Sequence, residues 1–183
     1  WDVNESWDRM FRASKVVVSR IPAGRIACVT VTTFVVDGTL FDRSGTMLYP
    51  VISWQCERTN QIMADIGKYI PLDELYSECG VLPFTFNTII KLIWFFEQKP
   101  DLVEKSHLFL MMPSIFAYFL TGEMVNDMSM AGTTMTTNLS QRSFSAGILD
   151  RIGFPAGKMG MPVEPGTITG EITPGASAAT GIP

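Results

Sequence analysis

A carboxylate inside a β-prone run is the first candidate for chemistry. In residues 29–45, VTVTTFVVDGTLFDRSG, Val, Thr and Phe dominate, are interrupted by Asp37-Gly38 and then resume. A carboxylate there can point into a cleft, and loops at strand ends often carry sites. The competing reading is a hairpin, because Asp-Gly tolerates the positive φ of a tight turn. Asp42-Arg43-Ser44-Gly45 is the better turn, so Asp37 is expected at a strand end or a break between strands, as turn former or as functional acid. Trp54, Cys56, Arg58 and Thr59 in SWQCERT form the second constellation. Arg58 there can pair with a carboxylate, Asp37 included, or contact a ligand.

Other chemistries find little support. His107 is the only histidine and sits where a strand should start, so a structural role outweighs a Ser-His-Asp triad. Neither a GxxxxGK[ST] loop nor a GxGxxG fingerprint occurs. Met124, Met128, Met130 and Met135 read as filler of an irregular core before they read as a soft-metal site. Cys28, Cys56 and Cys79 are odd in number and widely spaced, which suggests neither a disulfide framework nor a metal pair and points to a reducing, cytoplasmic setting.

These residues need elements to hold them. With 183 residues, 46% hydrophobic and 17% charged, the chain fits one domain with a sizeable core. A net charge of −4 argues against a nucleic-acid surface. The apolar run at 108–120 contains Pro113 and is too short to span a bilayer. Periodicity predicts an amphipathic helix over 4–19, capped by Asn4 or Ser6, with Trp7, Phe11, Val17 and Val18 towards the core. A buried strand over 26–36 should follow, then strands near 39–42 and 46–53. Helices are expected over 57–68, after Pro71, over 84–97 with Pro100 ending it, and over 113–120 after an HLFLMM strand. Residues 1–154 form the expected core. Residues 155–183, dense in Gly and Pro, read as loop and short extended structure leading towards another domain, and the ends look cut from something longer. Strands mixed with helices make the fold class α/β.

The blocks VTVTTFVVDGTLFDRSGTMLYPVISWQCERT, FNTIIKLIWFFEQKPDL and LTGEMVNDMSMAGTT resemble, in order, the N-terminal domain of the FGGY carbohydrate kinases, and among these are most similar to L-fuculokinases, then rhamnulokinases. The resemblance implies an incomplete first domain of an actin-like ATPase, ribonuclease-H-like fold, and a parent enzyme that moves the γ-phosphoryl of ATP, with Mg2+, onto a hydroxyl of a ketose or deoxysugar such as L-fuculose. It also implies that the phosphate loop lies before Trp1 and the catalytic Asp beyond Pro183, so this chain alone should be inactive, with neither catalytic nor metal residues of its own. A non-catalytic sugar-binding or scaffold domain, or a kinase of the rhamnulokinase or xylulokinase kind, is the alternative. A small sugar is the expected partner, with self-association left open.

By the same resemblance the turn carrying Asp37 lines the sugar cleft. Phe34, Val36, Asp37 and Gly38 match the family pattern FGVDG, but Val35 stands where the family has Gly, replacing bare backbone with an isopropyl group. Glycerol kinases resemble this block with Arg-Glu in place of Val35-Val36, which argues against glycerol. Asp37 is the first candidate for sugar recognition, with Phe34 and Val35 beside it. Phe86 and Asn87, at the start of a helix that flanks the sugar in relatives, come second, and Arg58 completes the set. Asp127 matches a recurrent family Asp but reads equally as a turn or helix cap.

Overall fold

The computed structural model describes residues 1–183, the side chain of Ala23 excepted. Helix α1 (Val3–Val18) is followed by a 3-10 turn at Ala23–Arg25, a long irregular segment and strand β1 (Gly38–Phe41). Helices α2 (Asn60–Ala64), α3 (Leu72–Cys79), α4 (Thr88–Gln98) and α5 (Pro100–Lys105) lead to strand β2 (Leu108–Met111), which runs directly into α6 (Met112–Thr121). Then come α7 (Met128–Ala131), the short strands β3 (Thr137–Asn138) and β4 (Ser143–Phe144), α8 (Ala146–Arg151) and α9 (Pro174–Thr180).

The β1–β2 ladder divides the core. The strands pair antiparallel with Leu40 opposite Phe109 and Gly38 opposite Met111. Side chains alternate across a strand. Leu40, Phe109 and Met111 therefore enter a large cluster around α4, while Phe41 and Leu110 enter a smaller one with Val3, Val51, Ile115 and Phe116. Helix α4 lies so deep in the first cluster that seven residues, Thr88, Ile89, Ile90, Lys91, Leu92, Ile93 and Phe95, are buried.

Close approach at Gly38 makes the pairing possible. A Cβ there would meet the Leu110 carbonyl at 2.5 Å and the Phe109 ring at 2.6 Å. The carbonyl belongs to the ladder and cannot rotate away, so Gly38→Ala should cost about 1–3 kcal/mol of stability, read as a lower thermal midpoint. An unchanged midpoint would mean the two strands can separate locally without loss.

Several expected elements differ. Residues 26–36 form no strand, bend at Val35 and Val36, and are largely exposed up to Val35. A β-prone run becomes a strand only when a neighbouring strand takes its N–H and C=O groups, and among the described residues no strand pairs with this one. The DRSG turn forms as expected, with Asp42 Oδ1 accepting from the Ser44 and Thr46 amides and Gly45 at φ 84. Beyond it, 46–53 yields only a bridge between Met47 and Phe41, because β1 takes β2 as its ladder partner. The helix over 57–68 is interrupted: a 3-10 turn at Glu57–Thr59 precedes α2, which stops at Asp65, two residues before Gly67.

Differences also occur at helix ends. The cap of α1 is Asp2, whose side chain accepts from the Glu5 amide, and Val17 is exposed rather than inward. Pro100 does not merely end α4. It opens α5, where its missing N–H costs nothing. The Gly/Pro-rich tail holds a helix, α9, started by the Thr173 side chain on the Ala176 amide and stopped by Gly181 at φ 76. It docks on α1, where Ser14 Oγ donates to the Thr180 carbonyl at 3.1 Å.

Candidate functional site

Asp37 stands just before β1 and is 1% exposed. Its Oδ1 accepts from Lys91 Nζ at 2.5 Å. Its Oδ2 accepts from the Trp1 indole Nε1–H at 2.6 Å and from the Trp54 amide at 3.1 Å. The backbone is held as well, the Asp37 carbonyl accepting from the Met112 amide at 2.9 Å. Asp37 is thus neither a hairpin residue nor an acid open to a cleft. It is a buried hub whose two oxygens accept from three protein donors.

Lys91 supplies the counter-charge. It lies on α4 amid TIIKLIWFF and is fully buried. Its Nζ also donates to the Val36 carbonyl at 2.9 Å, where Thr88 Oγ1 donates too, again at 2.9 Å. Burial pulls the Lys91 ammonium below the ordinary lysine range, against the opposing pull of the Asp37 charge and hydrogen bond. Sequence reasoning missed Lys91. The available signal was a single Lys inside an uninterrupted apolar helix, because lysines are almost never fully buried unless paired.

Around this hub the exposed groups are aromatic. Trp1 stacks on Phe34 with centroids 4.6 Å apart. Trp54 meets Phe86 edge-on at 6.3 Å, and Phe86 stacks on Phe84 at 5.0 Å. Because Oδ2 binds both Trp1 and Trp54, it ties the two aromatic groups to one point. Phe34, Trp54, Phe84 and Trp1 all keep exposed faces, and Val35 lies exposed beside Phe34.

The remaining candidates separate. Asn87 is 2% exposed, with Oδ1 accepting from the Phe84 amide at 2.6 Å and Nδ2 donating to the Thr133 carbonyl at 3.3 Å. It shapes the turn that presents Phe84 and Phe86, and α4 begins after it. Arg58 meets no carboxylate among the described residues, so of its two readings the ion pair does not form. Its Nε donates to Cys56 Sγ at 3.0 Å and its Nη1 to the Tyr49 hydroxyl at 3.1 Å, with the guanidinium 5.2 Å above the Trp94 ring. Stacking and thiol contact satisfy the planar cation without a partner anion. Burial alone would raise the Cys56 thiol, but the Arg58 hydrogen bonds and charge outweigh it and hold the thiol below its ordinary value. A cavity of about 250 Å³ opens between Trp1, Tyr49, Val51, Ser53, Cys56 and Arg58. Asp127 caps α7, its Oδ1 accepting from the Ser129 and Met130 amides. His107 extends the β ladder through its amide, bonded to the Phe41 carbonyl at 2.6 Å.

Comparison with known proteins decides the family. The model of the N-terminal domain of the FGGY family of carbohydrate kinases matches residues 1–183. The chain belongs to this family. It is 37% identical to the L-fuculokinase of Escherichia coli K12 over 183 residues, which is 100% of the chain and 39% of that enzyme. It is 27% identical to the rhamnulokinase of Oceanobacillus iheyensis, again over 100% of the chain and 38% of the relative. The chain therefore spans well under half the length of these curated relatives. In structure it resembles the ligand-bound xylulose kinase of Lactobacillus acidophilus with a TM-score of 0.88 at 19% identity, covering 100% of the chain and 37% of that protein. The fold of this FGGY chain is thus the actin-like first domain of a sugar kinase, in part. Among the described residues no helix is long and apolar enough to cross a membrane.

Proposed function

We propose that this chain carries the sugar-facing wall of an ATP-dependent carbohydrate kinase that phosphorylates a deoxyketose such as L-fuculose, in the cytoplasm. One observation carries the reading. The buried Asp37 carboxylate fixes Trp1 and Trp54, and through them exposes two aromatic groups, the platform an apolar sugar face or a deoxysugar methyl would cover. The fuculokinase likeness supports the substrate class.

The residues present do not fit the nucleotide. Among the described residues no three His, Cys, Asp or Glu side chains converge as a metal site, and Lys91 and Arg58 are held by Asp37, the Val36 carbonyl, Cys56 and Tyr49. No phosphoryl-transfer step is assigned to this chain, and ATP with Mg2+ belongs to the proposal for the intact protein.

Trp54→Ala and Phe34→Ala in the intact protein should each weaken L-fuculose binding by about 3- to 10-fold, measured by calorimetry, with kcat changing less. Unaltered affinity in both variants would remove the aromatic platform from the site. The exposed Val35 side chain favours a second reading, a sugar-binding domain without turnover, since it occupies space that bare backbone would leave to the ligand. L-Fuculose binding without ATP-dependent phosphorylation by the intact protein would select that alternative, and a substrate panel including L-rhamnulose and xylulose would separate the kinase subclasses.

A further inference from the structure

Val36 is nearly closed to solvent, yet its φ is 69°, a left-handed backbone that a β-branched residue seldom adopts. Such a conformation persists only where the surroundings impose it. Here they do so through one atom. The Val36 carbonyl accepts from both Lys91 Nζ and Thr88 Oγ1, each at 2.9 Å and both from buried residues one turn apart on α4. The same residue is where the chain changes from outside to inside: Phe34 and Val35 are 37% and 38% exposed, whereas Val36 and Asp37 are 3% and 1% exposed.

We infer that Lys91, aided by Thr88, is a positioning residue for substrate: it clamps the Val36 carbonyl, holds the left-handed turn, and so sets the Phe34–Val35 edge towards the sugar. This rests on the proposal that the aromatic face around Asp37 meets the sugar. Lys91 suits the task because an ammonium can serve a carbonyl and a carboxylate at once, bonding the backbone of residue 36 and the side chain of residue 37. The Asp37 pairing keeps the cation in place, and the carbonyl bond conveys its position to the turn.

A mutant cycle in the intact protein separates the clamp from a plain counter-ion. Lys91→Met should weaken the calorimetric Kd for L-fuculose by about 10- to 100-fold and Thr88→Val by about 3- to 10-fold, reflecting a charged and a neutral donor. Both losses should shrink to about twofold when combined with Val36→Gly, because glycine takes positive φ without a clamp. Losses that persist in the Val36→Gly background, or affinity restored to Lys91→Met by Asp37→Asn, would reduce Lys91 to a counter-ion and overturn the inference. Where Lys91→Met does not fold, Thr88→Val decides, since it leaves the ion pair intact: unaltered affinity defeats the clamp. If the unaltered protein binds neither L-fuculose nor L-rhamnulose, the reading of the site has failed, and the clamp is judged on thermal midpoint. There Thr88→Val, which leaves the ion pair intact, must lower the midpoint, and Val36→Gly must suppress that loss; the absence of either overturns the clamp.

Discussion

Asp37→Asn is expected to destabilise the protein by about 3–5 kcal/mol, although it preserves the shape of the side chain. Lys91 and Asp37 are 1% and 0% exposed at the side chain, so neither charge can turn to water. The amide provides one acceptor where the carboxylate provided two, and it must face three donors, Lys91 Nζ, the Trp1 indole and the Trp54 amide. Whichever way it flips, its NH2 group points at a donor and the ammonium loses its counter-charge. Removing one partner of a buried pair costs far more than removing both, so Asp37→Asn combined with Lys91→Met should recover a large part of the loss. Urea unfolding followed by tryptophan fluorescence checks this, with Trp1 and Trp54 as local reporters. A transition midpoint equal to that of the unaltered protein would show that water reaches the pair. Proton linkage gives a second signature. Burial lowers Lys91 from its ordinary 10.5, so the folded state binds that proton less tightly than the unfolded state. The stability this group contributes is present above 10.5 and lost as pH falls through the folded value. Without Asp37 that window should widen downwards.

Asn126→Ala should cost about 2–4 kcal/mol, because one side chain does the work of a missing strand. Asn126 is 2% exposed. Its Oδ1 accepts from the Met111 amide at 3.0 Å, while its Nδ2 donates to the Phe109 carbonyl at 2.8 Å and the Met159 carbonyl at 3.2 Å. The free edge of β2 is thus paired inside the core, beside the residues that register Gly38 and Leu40. Truncation leaves one amide and two carbonyls without their protein partner, and buried unsatisfied groups carry their full desolvation cost. The expected result is a lower thermal midpoint together with faster hydrogen exchange at the Met111 amide. Asn138→Ala serves as a control and should shift the midpoint less, since Asn138 is only half-buried, its Nδ2 bonding the Glu78 carboxylate at 3.2 Å and its Oδ1 accepting from the exposed Gln141 amide at 2.9 Å. Retained protection at Met111 in Asn126→Ala would show that another group closes the edge.

The family, the α/β class and most helices were legible in the residues themselves, because periodic apolar positions and ordered motifs are local or linear properties. The run TIIKLIWFF announces a buried helix, and DRSG announces a turn whose bonds span only four residues. Even α9 carried its Thr-Pro start and Gly stop, although the density of Gly and Pro concealed them. What composition and spacing left open was decided by partners distant in sequence. The run at 26–36 has strand propensity but no neighbour to bond, whereas Gly38–Phe41, no richer in β-formers, becomes a strand because Leu108–Met111 lies beside it. The role of Asp37 followed the same rule. Its type and place suggested an acid offered to a ligand, and the tertiary structure gave its oxygens to Lys91, Trp1 and Trp54, which lie 54, 36 and 17 positions away. A carboxylate's chemistry is set by which donors surround it and whether water can compete, and both are properties of packing in three dimensions.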